Sequence, residues 1–338
     1  MAQDLVHVIR GGLVESIHRG DLAVVDWQGN LTYSVGAPKD KVTFIRSSSK
    51  PIQALTVVES GATEHFGLSE AEIAMMCASH GGEDGHVNTV RSILSKIGLG
   101  EDALQCGTHL PSHKPTGEAM LQAGLKPTEI HCNCSGKHSG MLTLCRYMGW
   151  DISNYTEVDH PVQRAMLKKM ARFAGMPAED IEIGTDGCGV PVFGLSVYHM
   201  AKAFARLAKP SELTPGEQAA AVTVTRAMMR HPFNVAGSGR ICTDLMAAAD
   251  GRVFAKSGAE GVYCAGVPEL GIGIALKTED GNGARCSAPA IVEALRQLGV
   301  LNVEMLAKLK SQANPTLYNH RKQAIGEVSA VFTLRRAD

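Results

Sequence analysis

The sequence has no large net charge, no long apolar run and no export signal. Its 338 residues carry a formal net charge of −1 at pH 7, so it has no long-range attraction to nucleic acid or anionic lipid. No stretch approaches the roughly 18 apolar residues of a membrane span. The N-terminus, with an acid at Asp4, has no basic segment followed by an apolar run. We therefore expect a cytoplasmic protein that binds neither nucleic acid nor membrane.

The cysteines also lack the pattern of a disulfide framework. There are nine of them, an odd number, and a chain this long buries enough surface to be stable without disulfides. In a reducing compartment they are free thiols, core residues or metal ligands. Hydrophobic residues make up 44% of the sequence and charged residues 20%, which is typical of a globular protein.

The predicted elements run from strands to helices and back to strands. Short strands are expected over 14–18, 22–27 and 31–34, and helical periodicity follows, including helices over 137–147 and 196–207. Strands return from residue 253, with a helix over 287–298 and a closing strand over 324–334. The economical solution is an α+β fold, with one antiparallel sheet built from both chain ends and a large helical insert.

No linker or internal repeat divides the chain. We expect a single unit over 1–338, with the sheet portion at about 1–46 plus 250–338 and the helical portion at about 47–249.

The most informative segment runs from Arg46 to Pro51. Ser47 and Lys50 are three positions apart, so their side chains share one face where a helix begins. A serine hydroxyl is a weak nucleophile until a base takes its proton, and a neutral lysine amine can do so if its surroundings lower its pKa. A Ser-x-x-Lys pair nevertheless arises about once by chance in a chain with this many serines. The same residues also suit an ordinary helix cap.

A second candidate segment is Cys77–Glu83, which ends a predicted helix. Ser79 and His80 supply a hydroxyl and an imidazole, and the two glycines that follow allow backbone to approach a ligand closely. An ordinary helix C-terminus with a polar turn explains the segment equally well.

Two later segments combine glycines with a cation. In Val235–Arg240, the backbone around Gly237 together with Arg240 suits a substrate carboxylate, or else the cap of the following helix. In Lys256–Gly261, a lysine and a hydroxyl close a predicted strand, which suits recognition of an acyl group beside a serine nucleophile. Taken alone, the second segment is a β-turn with an exposed charge.

The segment His131–Gly140 is unusually rich in potential metal ligands. It contains two thiols, two imidazoles and a lysine, and Cys188 in a glycine-rich turn offers a further ligand. Cys132-x-Cys134 alone is a weak zinc signal, because structural zinc sites usually contain Cys-x-x-Cys pairs. Buried, inert cysteines are the alternative.

Taken together and in this order, the segments resemble the class 3, rhizobial-type L-asparaginases, the asparaginase II family. The resemblance spans nearly the whole chain, from residues 14–20 to residues 271–277. It implies a fold similar to those of serine β-lactamases and related glutaminases. It also implies a homodimer that hydrolyses L-asparagine to L-aspartate and ammonia through an acyl-enzyme, with a zinc ion assisting substrate binding.

The resemblance assigns roles to individual residues. The implied serine–lysine pairs are Ser47 with Lys50 and Ser79 with Lys256, and the implied zinc ligands are Cys134, Lys137 and Cys188. Ser47, with Lys50 as its base, is the preferred nucleophile, and Ser79, linked to Lys256, either relays the proton or is the nucleophile itself. The substrate-binding candidates are Arg46, His80, Lys137, His138, Gly237 and Arg240.

Three other functions fit the same residues. A glutaminase differs by one methylene in its substrate, which a pocket discriminates by only about 1–3 kcal/mol. Another serine amidohydrolase with a β-lactamase-like fold is possible, although a β-lactamase or cell-wall peptidase would need an export signal. The third is a zinc-stabilised protein that binds amino acids without turnover. Release of ammonia from asparagine separates these alternatives.

Overall fold

The computed structural model describes residues 1–337. The strands are β1 (Gln3–Arg10), β2 (Leu13–Asp26), β3 (Leu31–Val35), β4 (Val42–Phe44), β5 (Glu182–Thr185), β6 (Pro191–Ser196), β7 (Phe254–Ser257), β8 (Val262–Val267), β9 (Ile272–Thr278), β10 (Thr316–Tyr318), β11 (Ala324–Ala330) and β12 (Arg335–Arg336). The helices are α1 (Lys50–Glu59), α2 (Ala62–His65), α3 (Glu70–Met76), α4 (Asp84–Lys96), α5 (Lys114–Gln122), α6 (Ser135–Met148), α7 (Pro161–Ala174), α8 (Val197–Ala208), α9 (Pro215–Arg230), α10 (Pro232–Ala236), α11 (Ile241–Ala249), α12 (Gly283–Gln297), α13 (Val303–Lys308) and α14 (Lys310–Ala313).

The chain divides into two compact units. The first, here the sheet unit, contains Met1–Ser48, Leu195–Lys209 and the residues from Asp244 onward. The second, here the helical unit, contains Ser49–Gly194 and Pro210–Thr243. The single unit over 1–338, with its sheet and helical portions, stays a prediction, and α8 belongs to the sheet unit.

The sheet unit is built on one nine-stranded sheet. Its order is β10-β11-β1-β2-β9-β8-β7, with β3 paired to β2 and β12 paired to β3. The paired strands run antiparallel, and β8 and β9 are buried along their whole length. The predicted α+β fold, with one antiparallel sheet made from both chain ends and a helical insert, is confirmed.

Helix α8 packs directly on this sheet. A Cβ atom at Gly273 of β9 would collide with the backbone of Ala201 and Ala205 in α8. The missing side chain therefore allows helix and strand backbones to approach closely. The helix has a continuous buried face that includes Met200 and Phe204, which explains why it was predicted correctly as a helix.

The helical unit is organised around α1, α3 and α6. Helix α1 packs against α6, α7 and α9, and α3 packs against α6 and α9. Helix α6 is buried from Ser135 to Cys145. Strands β5 and β6 form an antiparallel hairpin in which Thr185 pairs with Pro191, and this hairpin presents the turn that contains Cys188. Within the described residues, no helix is long and apolar enough to cross a membrane.

Candidate active site

Ser47 lies in a strained turn of the sheet unit. A 3₁₀ turn spans Arg46–Ser49, and Arg46 has a left-handed φ of 52°, a conformation that non-glycine residues rarely adopt. Ser47 is partly exposed, whereas its neighbour Ser48 is fully buried. The Ser48 hydroxyl donates a hydrogen bond of 2.8 Å to the Lys256 carbonyl, which ties the turn to β7. The turn therefore presents Ser47 while Ser48 anchors it.

Lys256 lies on β7 of the same unit. Its side chain is fully buried, and its Nζ donates to the Ser257 carbonyl at 2.8 Å. Cys264 is its partner on β8, and burial raises the pKa of the Cys264 thiol to about 12. At the end of the hairpin Glu260 lies 3.9 Å from Arg46, measured from Oε1 to Nη1. Lys256 is therefore enclosed, with its Nζ bonded to a carbonyl of the same strand.

In the helical unit, Lys50 meets Ser79. Lys50 is fully buried at the first position of α1. Its Nζ donates to the Ala78 carbonyl at 2.6 Å, to Ser79 Oγ at 3.0 Å and to Cys134 Sγ at 3.2 Å. Nζ therefore has three polar neighbours within hydrogen-bonding distance. The structure thus places a serine–lysine contact beside the first predicted zinc ligand.

The three predicted zinc ligands belong to one cluster in the helical unit. Lys137 Nζ lies 2.9 Å from Cys188 Sγ, and the Cys134 and Cys188 thiols lie within hydrogen-bonding reach of each other. All three side chains are buried. The loop between β5 and β6 supplies Cys188, and the N-terminus of α6 supplies the other two residues. Two sulfur atoms and an amine therefore converge on one region.

The cluster holds one thiol in its charged form. Hydrogen bonds from the Cys132 and Cys188 thiols keep the pKa of Cys134 well below its ordinary value, and the charges of Lys50 and Lys137 act in the same direction. Burial alone would lower the pKa of Lys137, but the neighbouring thiolates raise it. The hydrogen bond to Cys134 raises the pKa of Cys188. A metal would find one ligand ready and would displace protons from the other two.

Among residues 1–337, no group of three or more His, Cys, Asp and Glu side chains is arranged to hold a metal. The Cys134, Lys137 and Cys188 cluster is of a different kind, because one of its three ligands is an amine. Thiolates are preferred zinc ligands, and three protein ligands leave one tetrahedral position open. The donor set therefore fits a zinc ion.

The His80 side chain forms hydrogen bonds that hold its own loop in place. The ring is fully buried, Nδ1 accepts the Gly82 N–H at 3.1 Å, and Nε2 lies 2.8 Å from Ser135 Oγ. Burial keeps the pKa of His80 well below its ordinary value, so the ring is neutral. Both nitrogens are engaged within the protein, and contact of His80 with substrate stays a prediction.

His138 has one engaged nitrogen and one without a partner. Its Nδ1 lies 2.7 Å from the hydroxyl of Tyr155, which in turn accepts the Gln105 N–H at 2.9 Å. Nε2 is buried and has no hydrogen-bond partner in the described part of the chain. Burial, together with the charge of Lys137, keeps the pKa of His138 well below its ordinary value. A neutral imidazole is therefore oriented by Tyr155 with its second nitrogen available.

The glycine-rich loop Val235–Arg240 adjoins Ser79 in the helical unit. The Ser79 N–H donates to the Val235 carbonyl at 2.9 Å. Gly237 is buried with a φ of 107°, which requires glycine. Ser238, Gly239 and Arg240 are exposed. The predicted loop therefore lies beside Ser79, with Arg240 at its solvent-facing end.

Sequence reasoning missed three residues that hold these groups in place. Tyr155 orients His138 from a loop with no recognisable motif, so no local signal could have identified it. Ser48 was visible in the triple serine but was not distinguished from Ser47. Glu83 ended a segment of interest, and its carboxylate binds Ser238; the sequence gives no indication of that partner, which is far away in the chain.

The family model described as L-asparaginase II matches residues 6–330, nearly the whole chain. This match defines the protein as an amidohydrolase. The chain belongs to the L-asparaginase II family. No curated protein matches the sequence.

Solved structures give more distant likenesses. A β-lactamase from Mycobacterium bovis superposes with a TM-score of 0.46 and 15% sequence identity, covering 83% of this chain and 95% of that one. Mglu in its native form in 4.3 M NaCl gives a TM-score of 0.39 and 13% identity, covering 84% of this chain and 62% of that one.

Proposed function

We propose that the protein is an L-asparaginase that hydrolyses the side-chain amide of L-asparagine to L-aspartate and ammonia. Membership of the L-asparaginase II family supports the reaction. The observation that carries the chemistry is the 3.0 Å contact between Lys50 Nζ and Ser79 Oγ. A buried lysine bonded to a serine hydroxyl is a means of moving the proton that a serine nucleophile must lose.

In the proposed reaction, Ser47 is the nucleophile and Lys50 is its base. Ser47 Oγ attacks the carbonyl carbon of the amide, its proton passes to Lys50, and the amide nitrogen receives a proton and leaves as ammonia. Water then attacks the resulting ester and releases aspartate, which regenerates the serine. Ser79, in contact with Lys50, relays the proton, and Lys256 is its second lysine partner by family resemblance.

Cations and one imidazole are proposed to hold the substrate. Arg46 and Arg240 supply positive charge for the α-carboxylate, and a guanidinium can bind a carboxylate through two hydrogen bonds. Lys137 contributes to substrate binding through the zinc ion that it is proposed to hold. His138 offers Nε2, which is buried and without a partner in the described residues. Gly237 would let backbone approach the substrate closely.

We further propose that Cys134, Lys137 and Cys188 hold a zinc ion. When bound, zinc would supply a localised positive charge for a polar group of the substrate. The convergence of two thiols and an amine supports this assignment. A homodimer and a cytoplasmic location also stay predictions.

The test compares Ser47→Ala with Ser79→Ala, using ammonia release and mass spectrometry of the protein after rapid quenching with asparagine. We expect Ser47→Ala to lower kcat by about 10³-fold or more and to abolish the acyl-enzyme. Ser79→Ala should slow turnover by about 10²-fold and still form the adduct, because it removes proton transfer rather than the nucleophile. Ser95→Ala, an exposed serine on α4, is the control.

Two results would count against the proposal. Ser47→Ala turning over asparagine near the wild-type rate would exclude Ser47 as the nucleophile. A folded wild-type protein that binds asparagine and releases no ammonia would instead establish the amino-acid-binding alternative. Ammonia release from glutamine but not from asparagine would identify a glutaminase.

A further inference from the structure

Glu83 joins two segments of the helical unit that are far apart in the chain. Its Oε1 accepts the Ser238 N–H at 2.9 Å, and its Oε2 accepts the Ser238 hydroxyl at 2.7 Å. The side chain is only 14% exposed. Both oxygens of one carboxylate thus hold a single residue through its main chain and its side chain, and such bonds to a charged acceptor are among the stronger hydrogen bonds in proteins.

The backbone on either side of this contact is built to fit it. At Gly237, with φ of 107°, a Cβ atom would lie 2.5 Å from Glu83 Oε1 and 2.9 Å from His86 Cε1. Only glycine allows the loop to approach the carboxylate this closely. At the other end of the contact, the Ser79 N–H binds the Val235 carbonyl at 2.9 Å. The segment from Ser79 to Glu83 and the glycine-rich loop are therefore joined at two points, Ser79 with Val235 and Glu83 with Ser238.

The charge environment keeps the carboxylate ionised. His113 Nδ1 lies 3.8 Å from Oε2, and His86 Nδ1 lies 3.9 Å from Oε1. Burial by itself would raise the pKa of Glu83, but the two hydrogen bonds from Ser238 hold it below its ordinary value. At neutral pH the residue is an acceptor only, which matches the two donors of Ser238.

Beyond Ser238 the loop is exposed through Gly239 to Arg240. The two bonds from Ser238 to Glu83 come immediately before this exposed end and contribute to its position relative to Ser79.

We propose that Glu83 is a positioning residue that holds the Val235–Arg240 loop beside Ser79 and so sets the affinity for the α-carboxylate of the substrate. This inference rests on the proposed asparaginase function. It assigns Glu83 to substrate binding through the loop rather than to the chemical step. A residue with this role changes KM far more than kcat.

The main variant is Glu83→Gln, which keeps the shape and replaces one acceptor oxygen by an NH₂ donor facing Ser238. We expect KM for asparagine to rise roughly tenfold, with kcat within about threefold of wild type. Ser238→Ala, which keeps the N–H and removes only the hydroxyl, should raise KM by about threefold. The Kd for asparagine from isothermal titration calorimetry should rise in parallel.

A matched control is available in the same unit. Glu72 is also buried, also accepts a serine N–H, from Ser69 at 2.6 Å, and also accepts a serine hydroxyl, from Ser92 at 2.8 Å. Its bonds cap α3 and do not reach the glycine-rich loop. Glu72→Gln should lower Tm and leave KM unchanged, which separates a loss of stability from a loss of loop positioning.

Unchanged KM and Kd in both Glu83→Gln and Ser238→Ala, with an active wild type, would overturn the inference and leave the proposed function intact. It would also be overturned if Glu83→Gln lowered kcat without raising KM. If the wild-type protein binds asparagine but releases no ammonia, the proposed function fails, and the Kd values alone decide the role of Glu83. No asparagine binding by the wild type would overturn both.

Discussion

At the scale of single residues, backbone strain is concentrated next to the proposed nucleophile. Among residues 1–337, four non-glycine residues have positive φ: Arg46, Asp250, Glu260 and Lys322. Two of them, Arg46 and Glu260, approach each other within 3.9 Å. A left-handed non-glycine residue costs about 1–2 kcal/mol, and such strain persists at functional sites, where the surrounding structure holds it. We predict that the Arg46 guanidinium contributes to substrate binding and that its left-handed backbone costs stability.

Arg46→Gly should therefore separate stability from activity. Relief of the left-handed strain and the added freedom of the unfolded chain nearly cancel, so we expect the free energy of unfolding to stay within about 1 kcal/mol of wild type. Loss of the guanidinium should lower kcat/KM by about 10²-fold. Urea denaturation and ammonia release measure the two effects.

Asp250→Gly is the control, because Asp250 has a φ of 46° in a turn before β7. It should leave kcat/KM unchanged. A loss of several kcal/mol in Arg46→Gly, or full activity, would contradict the interpretation of Arg46 as a strained functional residue.

The residues of the site were more predictable than their partners. Ser47, Lys50 and Ser79 could be selected because the segments that contain them, taken in order, resemble the asparaginase II family, whereas the Ser-x-x-Lys spacing alone is close to a chance match. The contact of Lys50 with Ser79 and Cys134 could not be predicted, because it depends on how α1 packs against the segments that precede α4 and α6. Within residues 1–337, the local sequence identified the side chains that can carry the chemistry. Tertiary packing determines which of these side chains are in contact.

At the scale of elements, α6 shows why the His131–Gly140 segment contains glycines. Gly136 and Gly140 are four apart, on one face of the helix, and face Met75 and Met76 of α3. A Cβ at Gly136 would collide with the Met75 carbonyl, whereas one at Gly140 would meet the flexible Met76 side chain at 3.0 Å. The other face of the same turn carries Lys137. Close packing of α6 on α3 therefore sets the position of a proposed zinc ligand.

Gly136→Ala should push α6 away from α3. We expect a loss of about 2–3 kcal/mol in the free energy of unfolding, because the clash with backbone outweighs the better helix propensity of alanine. The displacement of Lys137 should also lower the zinc content measured by mass spectrometry. Gly140→Ala should cost less than about 1 kcal/mol, since a methionine side chain can move.

The control for both is Gly216→Ala in α9, where a Cβ meets Glu59 at an ordinary 3.7 Å. It should be neutral or slightly stabilising. Equal costs for Gly136→Ala and Gly140→Ala would show that helix propensity, and not the approach to Met75, governs this packing.

Elements were predictable where one face is continuously buried. The predicted helix over 137–147 corresponds to α6, although the helix begins two residues earlier, at Ser135. Helix α5 was not predicted, because Gly117 is its one buried residue and no apolar periodicity marks it. The strands predicted over 14–18 and 22–27 are one strand, β2. Gly20 does not interrupt it, because the missing side chain admits the Lys277 carbonyl of β9.

At the scale of the whole molecule, the sheet made from both chain ends was predictable from the order of strands and helices. The register was not, because pairing Leu22 with Leu276 depends on contacts across some 250 residues that leave no local signal. The placement of α8 in the sheet unit was also beyond the sequence pattern. The amphipathic face of α8 is typical of any surface helix. That Gly273 leaves room for α8 becomes clear only when β9 is seen to lie beneath the helix.

Global stability should depend on pH through two stacked histidines of the helical unit. The rings of His80 and His86 lie 5.1 Å apart with an interplanar angle of 23°. Burial keeps the pKa of His80 well below its usual value of 6.5, and the charges of His86 and Lys50 add to the effect. Burial also lowers the pKa of His86. Both rings are therefore neutral in the folded protein at pH values where the unfolded chain already binds protons.

The direction of this pH dependence follows from the difference in bound protons between the unfolded and the folded state. Below pH 6.5 the unfolded state binds more protons than the folded state, so the free energy of unfolding falls as the pH is lowered through that value and is fully recovered above it. We expect a loss of about 2 kcal/mol between pH 7.5 and pH 5.5, measured by urea denaturation at each pH. Burial also lowers the pKa of His138 and His199, so replacing one titrating ring, as in His86→Gln, should reduce this slope by about a quarter, whereas His65→Asn at an exposed position should leave it unchanged. A slope that is the same in His86→Gln and wild type would exclude the histidine stack as its origin.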